Sequence, residues 1–356
     1  MQCQASARPR GFILVMVLAM LVVLSLLATT IGTIAQRLRD EALDRQRQFR
    51  DELDMADTRA GVLYLLTSQR MTFAGLTLDD RVVLSADEQA FAREDDDVQS
   101  LMPVGNEIAL DGTAYRGNGR AQFALQDDRG LLGVNWVSPL LVDRLFAQAG
   151  VPAVQRSALS NLLLDYQDPD DLYRINGAER DDYRKAERPP PSNRTLATPL
   201  ELRRIIGWDK ALAGFDDADV VSTFTVVRSP AINVNTAPAR VLHTLLGIDE
   251  AAAQRIVAAR RLAPLINLSA LYQIVGNIPP EFEMLSLYPA NSGTLRLWSA
   301  DGSAVRLIHW TLTPIDDGGK PWREDYEFTL ARTQPADGAV ARPTQTAIFA
   351  EPVPAP

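Results

Sequence analysis

From Phe12 to Ile34 the chain reads FILVMVLAMLVVLSLLATTIGTI, with no charged residue and no proline. At about 1.5 Å of rise per residue, such a run crosses the hydrocarbon core of a bilayer as a helix. Whatever follows must therefore fold as a body tethered to a membrane. Arg8 and Arg10 stand just before the run, and the next charge is Arg37. Basic residues on the near side predict a cytoplasmic N-terminus and a body on the far side. A secretory signal peptide has a shorter apolar core, about 7–15 residues, with a small-residue cleavage site behind it; no clear A-x-A site follows here. An ordinary single-pass anchor fits the same composition.

Beyond the span, Arg37 to Asp57 mixes charges of both signs and holds no glycine or proline. Leu38, Ala42, Phe49, Leu53, Ala56, Ala60 and Leu63 are separated by sums of threes and fours, a helical stripe. The expectation is one helix from about Phe12 to about Thr67, apolar all round at first and then laying one face on a globular body. A coiled-coil linker is the alternative.

The formal charge is -9 and the only cysteine is Cys3. An acidic body discourages contact with nucleic acid and tolerates cationic partners such as calcium. The sequence holds no zinc spacing, P-loop, nucleotide-type glycine fingerprint or G-x-S-x-G elbow, and its two histidines, His243 and His309, sit in unrelated contexts. These absences point to a protein that is not an enzyme.

Strand character starts at about residue 75. Asp127-Asp128-Arg129-Gly130 reads as a hairpin turn that returns Leu131 to Val134 antiparallel. Asp95-Asp96-Asp97 reads as solvated surface. Pro139 to Ala149 and Pro152 to Tyr166 have helical spacing. Thr198-Pro199-Leu200-Glu201 opens a helix with a Thr198 cap and Glu201 at the capping-box position. After Asn277 the period of two returns: Thr294–Ser299, Val305–Thr313 and Trp322–Leu330 form a meander, with turns at Asp301-Gly302 and Asp316 to Gly319, and Trp298, Trp310 and Trp322 packing on the sheet. The tail from Thr333 reads as disordered.

Between Asp165 and Glu187 stand Asp165, Asp168, Asp170, Asp171, Glu179, Asp181, Asp182 and Glu187. Carboxylates this dense on a loop repel unless something neutralises them. Calcium, with six to eight oxygen ligands in flexible geometry, does so; a solvated loop partly paired with Arg174, Arg180, Arg184 and Lys185 is the other reading. The order is not that of an EF-hand. Farther on, INVNTAPARVLHTLLGIDEAAAQRIVAARR reads as two helices joined by a tight turn, with Asn235-Thr236-Ala237-Pro238 as the first helix's cap. A helix-hairpin-helix of G-[IV]-G type holds phosphate through backbone amides, so a membrane-anchored DNA-binding protein of a pilus-like uptake system is the sharpest rival function. Here the turn is Gly247-Ile248-Asp249 followed by Glu250, a carboxylate where phosphate oxygens would need a glycine, so no nucleic-acid partner is expected.

Three stretches in order resemble the GspK family, the large minor pseudopilins of type II secretion. They are Arg10-Gly11-Phe12 with its apolar run, LLLDYQDPDDLYRINGAERDDY, and INVNTAPARVLHTLLGI. The resemblance implies an α+β, pilin-like fold, a long N-terminal helix on an antiparallel sheet with a large inserted helical subdomain. Its parts would be a prepilin leader over 1–11, the transmembrane half of the helix over 12–34, the rest of the helix and the first strands over 35–137, the helical insert over 138–285, closing strands over 286–332 and a disordered tail over 333–356.

The resemblance also implies cleavage after Gly11 and N-methylation of Phe12 by a prepilin peptidase. Most pilins carry a glutamate at the fifth mature position, which here is Met16; relatives sharing this departure sit at the filament tip. Calcium in the family's helical subdomain makes Asp165, Asp168, Asp170, Asp171, Glu179 and Asp182 the candidate ligands. The implied partners are GspI-like and GspJ-like minor pseudopilins, the major pseudopilin filament and the inner-membrane assembly platform. The implied location is the inner membrane, then the pseudopilus tip, in support of folded-protein export.

Overall fold

A computed structural model describes residues 12–78, 101–136, 138–276, 284–302, 304–313, 319–332 and 346–349. The chain divides into two compact units, Met1–Leu53 and Asp54–Pro356. With no proline to interrupt it, the apolar run and the charged stretch behind it form a single helix, α1 (Phe12–Ser68). It is long and apolar enough to cross a membrane. In the first unit its apolar side chains are exposed, including Leu38, Phe49 and Leu53 beyond the span.

In the second unit the last turns of α1 bury Met55, Thr58, Val62, Leu63, Leu65 and Leu66. The expected stripe is corrected here: Ala56 and Ala60 face solvent, and the buried face runs through Thr58 and Val62. The reason is specific. Thr58 Oγ1 donates to the Asp54 carbonyl (2.7 Å) and accepts from Asn118 N (2.9 Å), while Asp54 Oδ2 accepts from Arg120 N (2.9 Å). These polar bonds rotate α1 onto the tip of a hairpin. A Cβ on Gly117 would lie 2.5 Å from Thr58 Oγ1, so only glycine permits the approach.

After two short paired strands, β1 (Met71–Thr72) and β2 (Gly75–Leu76), that hairpin joins β3 (Asp111–Arg116) to β4 (Ala121–Asp127). After a long excursion, late in which β7 (Ile232–Asn233) pairs parallel with β8 (Leu285–Ser286), the chain returns as β9 (Ser292–Ser299), β10 (Ala304–Leu312) and β11 (Trp322–Ala331). Together they make a five-stranded sheet in the order β11-β10-β9-β4-β3, antiparallel throughout. Strand alternation turns Phe123, Leu125, Leu295, Leu297, Ile308 and Trp310 toward α1, closing one core. The meander and the sheet-packed tryptophans expected from the period of two are present; of the two meander turns, Asp301-Gly302 is seen and residues 314–318 lie outside the described residues, as does Asp95-Asp96-Asp97.

The excursion is mainly helical: α2 (Pro139–Gln148), α3 (Ala153–Gln167), α4 (Arg180–Lys185), α5 (Trp208–Ala211), α6 (Asp217–Thr223), α7 (Ala239–Leu246), α8 (Glu250–Leu262) and α9 (Leu268–Val275). They pack around Phe146, Trp208 and Phe224, with Trp208 Nε1 donating to the Leu159 carbonyl (2.8 Å). Thr198 stands at the expected helix start, but the segment is a 3-10 turn over Pro199–Arg204, its hydroxyl makes no cap bond, and Glu201 instead accepts from Ala197 N (3.2 Å). A tight turn of this kind brings Glu201 to a different amide than an α-helix would.

Two corrections concern the joint between sheet and helices. Residues 128–130 do not turn a hairpin: they form one 3-10 turn, after which β5 (Leu132–Gly133) pairs parallel with β6 (Phe224–Thr225). The acidic pair is spent on burial. Asp127 accepts from Asn233 Nδ2 (3.0 Å), Thr236 Oγ1 (2.7 Å), Ala290 N (2.8 Å) and Arg129 N (3.0 Å). Asp128 bonds Thr225 Oγ1 (2.9 Å) and His309 Nε2 (2.8 Å). Of the expected cap Asn235-Thr236-Ala237-Pro238, Pro238 stands at the cap position of α7, but no side chain makes a cap bond there. Asn233 and Thr236 hold Asp127, and Asn235 spans Leu265 N and the Leu265 and Leu287 carbonyls, each at 2.8 Å.

The expected tail is corrected in part. Thr346 is buried, and Phe349 packs edge-on against Phe123, 5.4 Å between centroids. A Cβ on Gly61 of α1 would touch the Phe349 ring at 3.3 Å, so the contact uses a gap left by glycine. Apolar burial of one aromatic ring orders these four residues; the rest of 333–356 lies outside the described residues.

Candidate functional site

The acidic loop leaves α3 at Asp165 and re-enters helix at α4. Asp165 lies one turn from the end of α3 and is fully buried. Arg174 neutralises it: Nη1 donates to Asp165 Oδ1 (2.8 Å) and to Asp168 Oδ2, and the Arg174 amide donates to Asp165 Oδ2 (3.2 Å). A left-handed Asn176 (φ 59°) folds the chain back. Gly177 then passes so close that a Cβ there would stand 1.8 Å from Asp165 Oδ2. Gly177→Ala is therefore expected to cost about 1–3 kcal/mol by overpacking, read as a lower urea midpoint; an unchanged midpoint would mean the loop is not pinned this way.

Glu179 enters buried, just ahead of α4, and neither of its carboxylate oxygens has a partner; Asp168 Oδ1 is buried and unpartnered as well. Burial first, then the charges of Asp165, Asp168, Asp171 and Asp170, push the Glu179 carboxyl up to about 7. Asp170 accepts from Leu172 N (2.9 Å) and is exposed, as is Asp171. Asp182 takes a different part: it accepts from Glu179 N (3.3 Å) and pairs with Lys185 (3.5 Å). Burial works to raise its pKa, and these bonds with that of Tyr173 hold it below the ordinary value. Thus the fold gathers Asp165, Asp168, Asp170, Asp171 and Glu179 within electrostatic reach and gives Asp182 to the helix start.

Among the described residues no three His, Cys, Asp or Glu side chains already stand as a cage for a metal ion. The donors nevertheless fit calcium in kind. They are hard oxygens, three of them buried with nothing to accept from, and such atoms are costly to leave unsatisfied. Arg174 was visible in the sequence as one of several bases, but only the fold singles it out.

The helix-hairpin-helix is α7, a left-handed Gly247 (φ 63°) and α8. Asp249 Oδ1 accepts from Ala252 N at 2.6 Å. One of the amides that would hold a phosphate at the start of α8, that of Ala252, is thus served by the chain's own carboxylate, and His243 Nδ1 faces Glu250 at 3.4 Å. Of the N-terminal residues, Gly11 lies outside the described residues; Phe12 opens α1, and Met16 is exposed on its apolar surface.

The description "Type II secretion system (T2SS), protein K" matches the chain twice: a first-domain form over residues 125–213, which contains the acidic loop, and a second form over 232–276, which contains the N-x-N-T stretch and both hairpin helices. Both matched stretches resemble the GspK family, together over less than half of the chain. The matched models describe a component of the type II secretion system. Among the described residues, α1 is the one helix with the length and apolar composition of a membrane anchor. Among solved structures, a chain of the GspK-GspI-GspJ complex from enterotoxigenic Escherichia coli is similar, with 14% identity and a TM-score of 0.47, covering 83% of this chain and 100% of that one. No curated protein matches.

Proposed function

We propose that this chain is a minor pseudopilin of type II secretion and the tip subunit of the periplasmic pseudopilus, a non-enzymatic part that starts or caps the filament and supports export of folded proteins. The observation that carries this is Met16, an uncharged residue on an uninterrupted apolar helix. A carboxylate at that depth is costly unless a neighbour pairs with it; a subunit without one asks for no neighbour above. Leu38, Phe49 and Leu53, exposed on the same helix, are apolar surface suited to packing among filament helices below. The N-terminus lies in the cytoplasm and the body in the periplasm. Prepilin peptidase cleaves after Gly11 and methylates Phe12, and GspI-like and GspJ-like subunits, the major pseudopilin and the inner-membrane platform are the partners. Gly11→Ala is expected to leave the leader attached, and mass spectrometry of the wild-type N-terminus to give methylated phenylalanine. Gold labelling should mark filament ends; normal maturation of Gly11→Ala or label along the filament sinks the proposal.

Calcium is the proposed ion of the acidic loop, held by Glu179, Asp168, Asp165, Asp170 and Asp171. When bound it supplies the positive charge that the crowded carboxylates lack. Glu179, raised to about 7, keeps its proton longer in the folded than in the unfolded chain. Its contribution therefore makes ion-free stability fall as pH rises from the ordinary carboxylate range through about 7, and level off above. Calcium needs the ionised form, so the calcium-induced rise in Tm should grow across that window, being larger at about pH 8 than at about pH 6. Glu179→Gln should remove that pH dependence. No shift at millimolar calcium at either pH rejects the site.

A further inference from the structure

On the sheet face turned away from α1, alternation brings out Arg296 and Trp298 of β9 between β10 and β11 on one side and β4 and β3 on the other. Helix α6 crosses this face only in part, burying Val221 against Leu307 and Leu330. Beside it remains a cavity of ≈ 210 Å³ lined by Arg296, Trp298, Arg332, Val221, Val305 and Leu330, with no acidic residue in its lining.

Arg296 is the oddity. Its Nε is buried without a partner, and Nη2 makes one long bond, 3.4 Å to the Gly112 carbonyl. Burial pulls its pKa below the ordinary guanidinium value, against the pull of Asp111. That carboxylate is already committed: Oδ1 accepts from Thr113 N (3.1 Å) and Oγ1 (2.6 Å), and Oδ2 faces Arg260 at 3.3 Å. Gly112 keeps the space clear, since a Cβ there would lie 2.6 Å from Arg296 Nη2. A guanidinium carries five donors in a rigid fork, and a partly buried one with a single weak bond calls for an explanation.

The rest of the lining says what would satisfy it. Arg332 is pinned by the Ala300 carbonyl (3.0 Å), with weaker bonds to the Ser299 and Gly302 carbonyls, and its Cζ sits 5.9 Å from the Trp298 ring centre. Trp298 is oriented by Nε1 donating to Gln122 Oε1 (2.7 Å). Two cations thus stand beside an aromatic plane and an aliphatic floor. The volume is that of a fragment, below the about 300–1,000 Å³ of sites for larger ligands. A planar anion that the fork can grip bidentately is a carboxylate.

We propose that this cavity is a binding site for a carboxylate carried on a short apolar stem, with Arg296 forking onto the anion and Val221, Val305 and Leu330 taking the stem. The anion could be the C-terminus of a polypeptide or a free small acid; the chemistry is the same.

The full-length protein in detergent micelles, titrated calorimetrically with 4-methylpentanoate and with 4-methylpentanamide, tests this. The acid should bind at least about tenfold more tightly than the amide, since charge-assisted bonds are at stake. Arg296→Met should abolish that preference and hold or raise the Tm, because it removes a buried cation with only one weak internal bond. Arg332→Gln, at the rim, should weaken the preference in a protein whose sheet is undisturbed. A peptide ending in leucine, compared with its amidated form, separates the sources: preference only for the free-carboxylate peptide assigns the site to a polypeptide terminus, and equal capture of the free acid assigns it to small carboxylates. Equal affinity of every acid and its amide overturns the proposal. So does an Arg296→Met protein that loses Tm while its preference for acid persists.

Discussion

Replacing His309 by alanine is expected to destabilise the folded body by about 3–5 kcal/mol, the scale for stripping one partner from a buried ion pair. His309 is almost fully buried in β10. Its Nε2 meets Asp128 Oδ2 and its Nδ1 meets Asp325 Oδ2, each at 2.8 Å, and Tyr326 stacks on the ring at 4.7 Å. With a carboxylate on each nitrogen, both must be protonated, so the ring is an imidazolium. Burial works to lower its pKa, and Asp128 and Asp325 overcome that and raise it to about 9. For Asp325 burial pushes up, while His309, Thr311 and Arg323 hold the carboxyl well below its usual range.

The signs give a window. The His309 contribution is complete below the unfolded pKa of 6.5 and is lost as pH rises through about 9. The Asp325 contribution is present above its unfolded value of 3.8 and is lost as pH falls below it. Stability from this cluster should therefore be greatest between about pH 4 and about pH 6.5. Thermal melts across pH should show the wild type losing an alkaline-side contribution that His309→Ala lacks. Parallel curves for the two proteins would refute the imidazolium assignment.

Asp127→Ala is expected to cost a similar amount, about 3–5 kcal/mol, for a different reason. The Asp127 carboxylate is the shared acceptor of two backbone amides and the side chains of Asn233 and Thr236. Burial pushes it up to about 6, against the pull of those donors. Alanine would leave donors from three separated segments facing nothing. Asp127→Asn keeps the shape but aims an amide at other donors, for an expected loss of about 1–3 kcal/mol. Urea unfolding of the two variants orders them; an alanine variant within about 1 kcal/mol of wild type would show that water replaces the carboxylate.

Local pattern was a good guide wherever neighbours in sequence are neighbours in space. The proline-free run behind Phe12 does form one helix, the period of two marks β9 to β11, and Gly247 ends α7 as the turn requires. It misled where a residue's partner lies far along the chain. Asp127-Asp128 has the composition of a surface turn, yet it is buried because His309 and Thr236, contributed by distant elements, arrive to meet it. The same holds for the face of α1: spacing allowed a stripe through Ala56 and Ala60, and hydrogen bonds from the β3–β4 hairpin to Asp54 and Thr58 chose another.

In the acidic loop, the sequence showed a surplus of carboxylates but not which of them would be left without a donor. Arg174 satisfies Asp165, whereas burial isolates Glu179.

By itself, then, the sequence determined the long apolar helix and most of the order of strands and helices, because these follow from hydropathy and local period. Tertiary structure alone decided which charges are buried, how they are paired and which stay open to a ligand, because desolvation and hydrogen-bond geometry depend on segments that meet only after folding.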